Sequence, residues 1–208
     1  TKSNSVNGKT YANFANVSIF KLDSVITEDF EDFETQAIGW SNNKRTIVNN
    51  DNTNGVPATN FLGRFQVGSS VNKTFSYSSY ANNEVEIEFD IYEIDSWDGE
   101  RFEVYANGEL LTVDNFLQDT IDLDDSNITG VDLQQNITPG YGSHTTDQTY
   151  RYKLKTKLDS NGNLLLEFKT SLEFNKPFTR RWSRELENVD NESWGIDNVH
   201  IKVKETNK

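Results

Sequence analysis

From Glu84 to Tyr92 every second residue is apolar, with Val85, Ile87, Phe89 and Ile91 on one face and Glu84, Glu86, Glu88 and Asp90 on the other. That period of two predicts a half-buried strand. Phe102, Val104 and Ala106 repeat it, Asn107-Gly108 is a tight-turn pair, and Leu110, Leu111 and Val113 continue as a further strand. Tyr150 to Leu158 alternates most cleanly, with Tyr150, Tyr152, Leu154 and Leu158 facing in and Arg151, Lys153, Lys155 and Lys157 facing out. Such basic outward positions predict a solvated face or an edge strand protected against pairing. Asn161-Gly162 turns the chain, Leu164, Leu166 and Phe168 return it, and Val199, Ile201 and Val203 mark the inner face of a last strand. Shorter apolar groups at 14–25, 61–65 and 71–77 add strands, and the Asn-rich stretch 41–60 reads as loops around one short strand. No long amphipathic helix and no fixed-period repeat interrupts this series. The expectation is all-β: one antiparallel β-sandwich spanning 1–208, with 1–12 as a linker or loose first strand.

Two stretches break the apolar alternation with acids. The first is Ile94-Asp95-Ser96-Trp97-Asp98-Gly99-Glu100-Arg101-Phe102, read as a hairpin connection between the strands on either side. Counting by twos from either apolar face brings Asp95, Asp98 and Glu100 into the inward phase. Carboxylates gathered at the end of a core repel one another and are costly to desolvate. A hard cation with oxygen ligands resolves the conflict, and calcium takes such ligands in flexible geometry. The second stretch, residues 189–199, holds Asp190, Glu192, Trp194 and Asp197 and leads into the last strand. Asp197 counts onto the face of Val199 and Ile201, with no Lys or Arg beside it. The expectation is that the two stretches meet around calcium.

The charge balance narrows the partners. Lys+Arg 20 against Asp+Glu 33 leaves a net charge of −13, which repels nucleic acid and anionic membranes and favours cations or neutral ligands. Most of those acids read as solvation. With Cys 0 there are no disulfides or thiolate zinc sites, and metal binding is the cross-link left to an extracellular domain. The absence of Met, of a signal-peptide pattern and of an apolar span reads as a module cut from a longer protein, not inserted in a membrane.

The order Asp-Phe-Glu (29–31), Gly-Trp (39–40), Phe-Leu-Gly (61–63), Ile-Asp-Ser-Trp-Asp-Gly-Glu (94–100) and Glu-Ser-Trp-Gly-Ile-Asp-Asn-Val (192–199) resembles an extracellular domain of large bacterial surface proteins. Many of those are calcium-dependent RTX-type adhesins whose modules attach cells to sugars or peptides. The opening acidic-Phe-Glu…Gly-Trp is also similar to jelly-roll carbohydrate-binding modules. The resemblance spans about residues 28–203 and implies Asp95, Asp98, Glu100, Glu192 and Asp197 as calcium ligands. It implies a secreted or cell-surface module, not an enzyme. Its partners would be a glycan or peptide on a host or biofilm surface and the neighbouring domains of the same chain.

Specificity would sit on loops. The long irregular stretch 114–149 offers Asp122, Asp124 and the Pro139-Gly140-Tyr141-Gly142 turn, and the Arg-rich stretch 178–184 offers Trp182; Asp122, Asp124, Tyr141 and Trp182 are the ligand-binding candidates. Trp97, Trp194 and Trp40 read first as packing residues and alternatively as stacking platforms for a sugar or peptide. Asp98 with Glu192 is the one pair to weigh for glycoside hydrolysis, and a bound divalent cation argues against it by keeping both ionised. A polysaccharide-active hydrolase or lyase and a non-binding spacer are therefore the rival readings.

Overall fold

The structure is a computed structural model that describes residues 5–6, 9–10, 24–47, 59–66, 68–95, 97–117, 128–134, 147–171 and 192–205. Its strands in chain order are β1 (Ser5–Val6), β2 (Lys9–Thr10), β3 (Val25–Glu31), β4 (Arg45–Ile47), β5 (Asn60–Gln66), β6 (Ser70–Ser76), β7 (Glu84–Asp95), β8 (Asp98–Ala106), β9 (Glu109–Leu117), β10 (Ile128–Gln134), β11 (Asp147–Lys157), β12 (Asn163–Ser171) and β13 (Glu192–Lys204). The larger sheet runs β10-β11-β7-β13-β5-β4 with β3 also on β13, and the smaller runs β6-β12-β8-β9. All pairings are antiparallel, so the expected all-β, two-sheet architecture is what the chain adopts.

The period-two residues meet where the sheets face each other. Ile87, Phe89 and Ile91 of β7, Tyr152 of β11 and Ile196 of β13 are buried against Phe102, Val104, Leu166 and Phe168 of the smaller sheet. Phe89 stacks on Tyr152 with centroids 5.1 Å apart and meets Phe168 edge-on at 4.8 Å. Each such ring stabilises the fold by about 2–3 kcal/mol through burial. Asn107 and Gly108 both take positive φ, 51° and 83°, as the tight turn between β8 and β9 requires.

Two expectations are corrected. β11 is no edge strand: it lies between β10 and β7, and its bases stand opposite the acids of β7. Lys153 reaches Glu86 and Glu88 at 3.1 Å, and Lys202 and Lys204 of β13 approach the same acids. Burial alone would raise the Glu86 and Glu88 carboxyls, but the lysines outweigh it and hold both below the usual range. Nor is the connection after Asp95 a hairpin. β7 belongs to the larger sheet and β8 to the smaller, so the chain turns a corner from one layer to the other.

β13 is the axis of the sandwich. It starts beside the end of β7, with Glu192 opposite Asp95, and finishes beside the start of β7, with Val203 opposite Val85. At that second pole the start of β3 and the end of β13 are joined: the Glu205 amide donates to the Ser24 carbonyl at 2.9 Å, and the Ser24 hydroxyl donates to the Glu205 carboxylate at 2.8 Å. Thirteen residues of β13 separate the acidic corner from this pole by about 40 Å.

Candidate functional site

The register puts the two acidic stretches side by side. Glu192 faces Asp95, Ser193 faces Ile94 and Trp194 faces Glu93 across β13 and β7. Asp98 starts β8 opposite Leu117, three residues beyond Asp95, so the chain itself holds the two within about 11 Å. Glu100 is buried at 5% exposure, opposite Phe116 on the inward side of β8. For Asp95, Asp98 and Glu192 the described part is the strand backbone. Among the described residues no three His, Asp or Glu side chains lie close enough to hold a metal ion.

Glu93 is the carboxylate that the sequence reading passed over. It is 1% exposed and stands between Gln148 of β11 and Trp194 of β13. The signal for it was present: counting on from Val85, Ile87, Phe89 and Ile91 meets Glu93 before Asp95. An acidic core phase therefore begins one step earlier than the motif.

The three described tryptophans are structural. Trp97 and Trp194 are fully buried, and Trp40 is buried where it stacks near Phe168 and meets Phe33 and Phe75 edge-on. None of the three can serve as an exposed stacking platform. The Trp97 indole N–H lies 3.2 Å from the Ile94 carbonyl and 3.1 Å from the Ser193 carbonyl. One ring thus bridges the end of β7 and the start of β13, where the two acidic stretches run side by side. Trp194 donates to the Gln66 carbonyl of β5 at 3.2 Å.

Asp197 stands elsewhere. It is opposite Asp90, and an extra residue enters β13 between Asp197 and His200, with Asn198 at φ +52°. That bulge reverses the phase, so Asp197 leaves the face of Val199 and Ile201 and joins Asp90 and Tyr92 on the outer face. Gly195 is required there, because a Cβ would lie 2.3 Å from the Phe61 ring that packs on Tyr92. Asp197 is 2% exposed, takes the Asn198 amide at 2.8 Å and has the Tyr92 hydroxyl at 3.5 Å. Burial pushes its carboxyl up to about 7, against the Asn198 amide and helped by Asp90, Glu34 and Asp32. Glu34 itself accepts from Thr59 and from the Asn60 amide, 3.1 Å away, and these bonds hold it below its ordinary value.

Asp90 is neutralised across the ladder from the neighbouring strand β11. Arg151 grips it with two bonds of 2.7 and 2.9 Å, and the Asn198 side chain adds a third at 2.9 Å. Arg151→Gln would leave a 3% exposed carboxylate beside Asp197 with a single strong donor. Because the guanidinium is itself mostly exposed, the expected loss is about 2 kcal/mol, below the range for a fully buried pair. Urea denaturation at pH 7 measures it, and a loss under a few tenths of a kcal/mol would mean that Arg151 is only a surface partner.

Of the remaining candidates, Trp182, Asp122, Asp124 and Tyr141 lie outside the described residues.

No protein-family model matches the chain, and no curated protein matches it. Among solved structures it is similar to dimeric latent PorU from Porphyromonas gingivalis, at 12% identity and a TM-score of 0.49, covering 88% of this chain and 13% of that one. It is also similar to a family 35 carbohydrate-binding module from Clostridium thermocellum, at 9% identity and a TM-score of 0.41, covering 84% of this chain and 97% of that one. A third is the CBM22-1 xylan-binding domain of Paenibacillus barcinonensis Xyn10C, at 11% identity and a TM-score of 0.38, covering 89% and 97%.

Proposed function

We propose that the chain is a calcium-dependent glycan-binding module of a bacterial surface adhesin, holding its ligand without reacting with it. The observation that carries this reading is the Glu192–Asp95 register, which draws two acidic stretches from distant parts of the chain to one end of the sandwich. Glu93 and Glu100 are buried at that same end. Carboxylates in that number call for a cation, and an all-oxygen donor set suits calcium. Calcium takes 6–8 ligands, so positions remain that sugar hydroxyls can complete.

Asp197 belongs to a second ion position in this reading. It lies on the outer face, five residues, about 17 Å, along β13 from Glu192. No one ion with ligands at about 2.3–2.6 Å reaches both.

The path of the chain favours a binder over a spacer. A spacer in a fibre passes tension from one pole to the other, whereas the described strands β3 and β13 begin and end together at Ser24 and Glu205. The acidic corner is presented at the far pole. The net charge of −13 favours a neutral glycan over an acidic one.

Melting in calcium and then in excess chelator tests the metal, and glycan and peptide arrays under both conditions test the ligand. With calcium at about a hundredfold over its Kd, stabilisation is about 2.7 kcal/mol, or about 5–10 °C for a chain of this size. Retention on a neutral glycan should vanish with chelator. A melting temperature indifferent to chelator removes calcium, a peptide hit corrects the ligand, and blank arrays restore the spacer.

A further inference from the structure

We propose that β3 is a strap that peels under tension: a pull between residues 24 and 205 opens β3 from β13 as a separate low-force event, while the sandwich stays folded. This does not depend on what the module binds.

The two strands are antiparallel neighbours in register from Lys204–Val25 to Val199–Glu31. Their outer ends are joined at Ser24 and Glu205, so opposed pulls on those residues act at one end of the ladder and load its pairs one after another. Among the described residues β3 pairs with β13 alone, whereas β13 keeps β7 along its other side from Glu192–Asp95 to Val203–Val85. Tearing therefore starts on β3.

Little apolar surface resists it. No residue of β3 is buried, and Val25, Ile26 and Phe30 are 42%, 40% and 56% exposed. What holds β3 is mostly polar: Tyr77 donates to Asp29 at 2.6 Å, Lys73 and Trp40 bind Glu31, and His200 meets Glu28 at 3.0 Å, with one edge-on ring contact between the half-exposed Phe30 and His200. The peel has a definite stop. Phe33 is 1% exposed and, with Trp40, is part of the core, so the chain is anchored two residues beyond β3. Past that anchor the pull runs along β13, where many pairs with β7 share the load in shear.

The released length follows. Residues 24–32 give about 30 Å of extended chain, and the stretch of β13 between residues 199 and 205 adds about 20 Å. A module held in series would lengthen by about 50 Å without disturbing the acidic corner at the other pole.

The chain has no cysteine, so introduced ones are unique attachment points. Single-molecule pulling of the full chain through Ser24→Cys and Glu205→Cys should show a first step of about 50 Å at low force, then a second rupture at a severalfold higher force. Pulling through Gln66→Cys, at the opposite pole opposite Ser193, and Glu205→Cys loads β5 against β13 in shear and should show no early step. Glu28 and Lys202 are directly opposed, a spacing a disulfide spans. With pulling handles at the chain termini fused beyond 24 and 205 in a Glu28→Cys/Lys202→Cys chain, oxidation should shorten the first step to the pair or two outside the lock, and reduction should restore it. A single rupture from residues 24 and 205, at the force seen from residues 66 and 205, would overturn the proposal. So would a first step that the disulfide leaves unchanged.

Discussion

Asp197→Asn raises the melting temperature in chelator at pH 8 and lowers it, relative to the parent, in saturating calcium. The first half follows from burial. The carboxyl is raised to about 7 in the folded chain, mainly by desolvation, against an unfolded value near 4. A group raised in this way favours folding below its unfolded pKa and loses that advantage as pH climbs from about 4 to about 7. Above 7 the ionised, 2% exposed carboxylate costs on the order of 4 kcal/mol. The amide removes the charge but leaves its own buried donors to be satisfied, so the net gain is about 1–3 kcal/mol, or a few degrees. At pH 4 the gain disappears. The second half follows from the proposed ion: a carboxyl that ligates calcium is ionised, and the amide offers only a neutral oxygen in its place, which binds the ion more weakly. Thermal melts of both proteins at pH 4 and pH 8, with chelator and with calcium, measure all four cases. Equal signs with and without calcium would take Asp197 out of the ligand set.

How much of this was legible in the sequence depends on the residue. The period-two runs specify inner faces directly, and Ile87, Phe89, Tyr152, Leu166 and Ile201 all lie where the alternation puts them. Alternation says which side a residue faces but not which strand is its neighbour. The basic face of β11 therefore read as a solvated face or as edge protection, when its cross-strand partners were the acids of β7 in a distant segment. The corner at Trp97 read as a hairpin because short spacing between two strands usually is one; here the turn crosses between layers. Asp197 failed for a purely local reason. One extra residue at Asn198 reverses the parity, and asparagine's tolerance of positive φ is too common a property to mark the bulge in advance.

The acidic corner was legible in composition and in phase. Its meeting with the start of the last strand was an inference from unpaired charge, and the Glu192–Asp95 register is the geometry that inference required. The rings in the corner were legible only as an alternative between packing and stacking. Burial decides for packing, because a fully buried indole has no face to offer a ligand.

Trp97→Ala is the substitution expected to cost most. Truncating a fully buried indole removes its apolar burial and leaves a cavity, about 3–5 kcal/mol together. It also removes the N–H that serves the Ile94 and Ser193 carbonyls, at roughly 1 kcal/mol or more. The edge-on contact with Phe116, centroids 5.5 Å apart, is lost too. The sum is on the order of 5 kcal/mol, a drop of about 10–20 °C, and enough to unfold a domain at the lower end of ordinary stability. Trp97→Phe separates the two roles of the ring. It keeps most of the volume and the contact with Phe116 but has no N–H, so its cost should be about 1–2 kcal/mol, or about 3–6 °C, with the same far-ultraviolet circular dichroism. Because the missing donor reinforces the pairing of the end of β7 with the start of β13, the calcium-induced rise in melting temperature should shrink in Trp97→Phe by more than the stability loss alone explains. Melting each variant across a calcium titration reads both effects. An unchanged calcium response in a folded Trp97→Phe protein would place the ion away from the corner that Trp97 ties together.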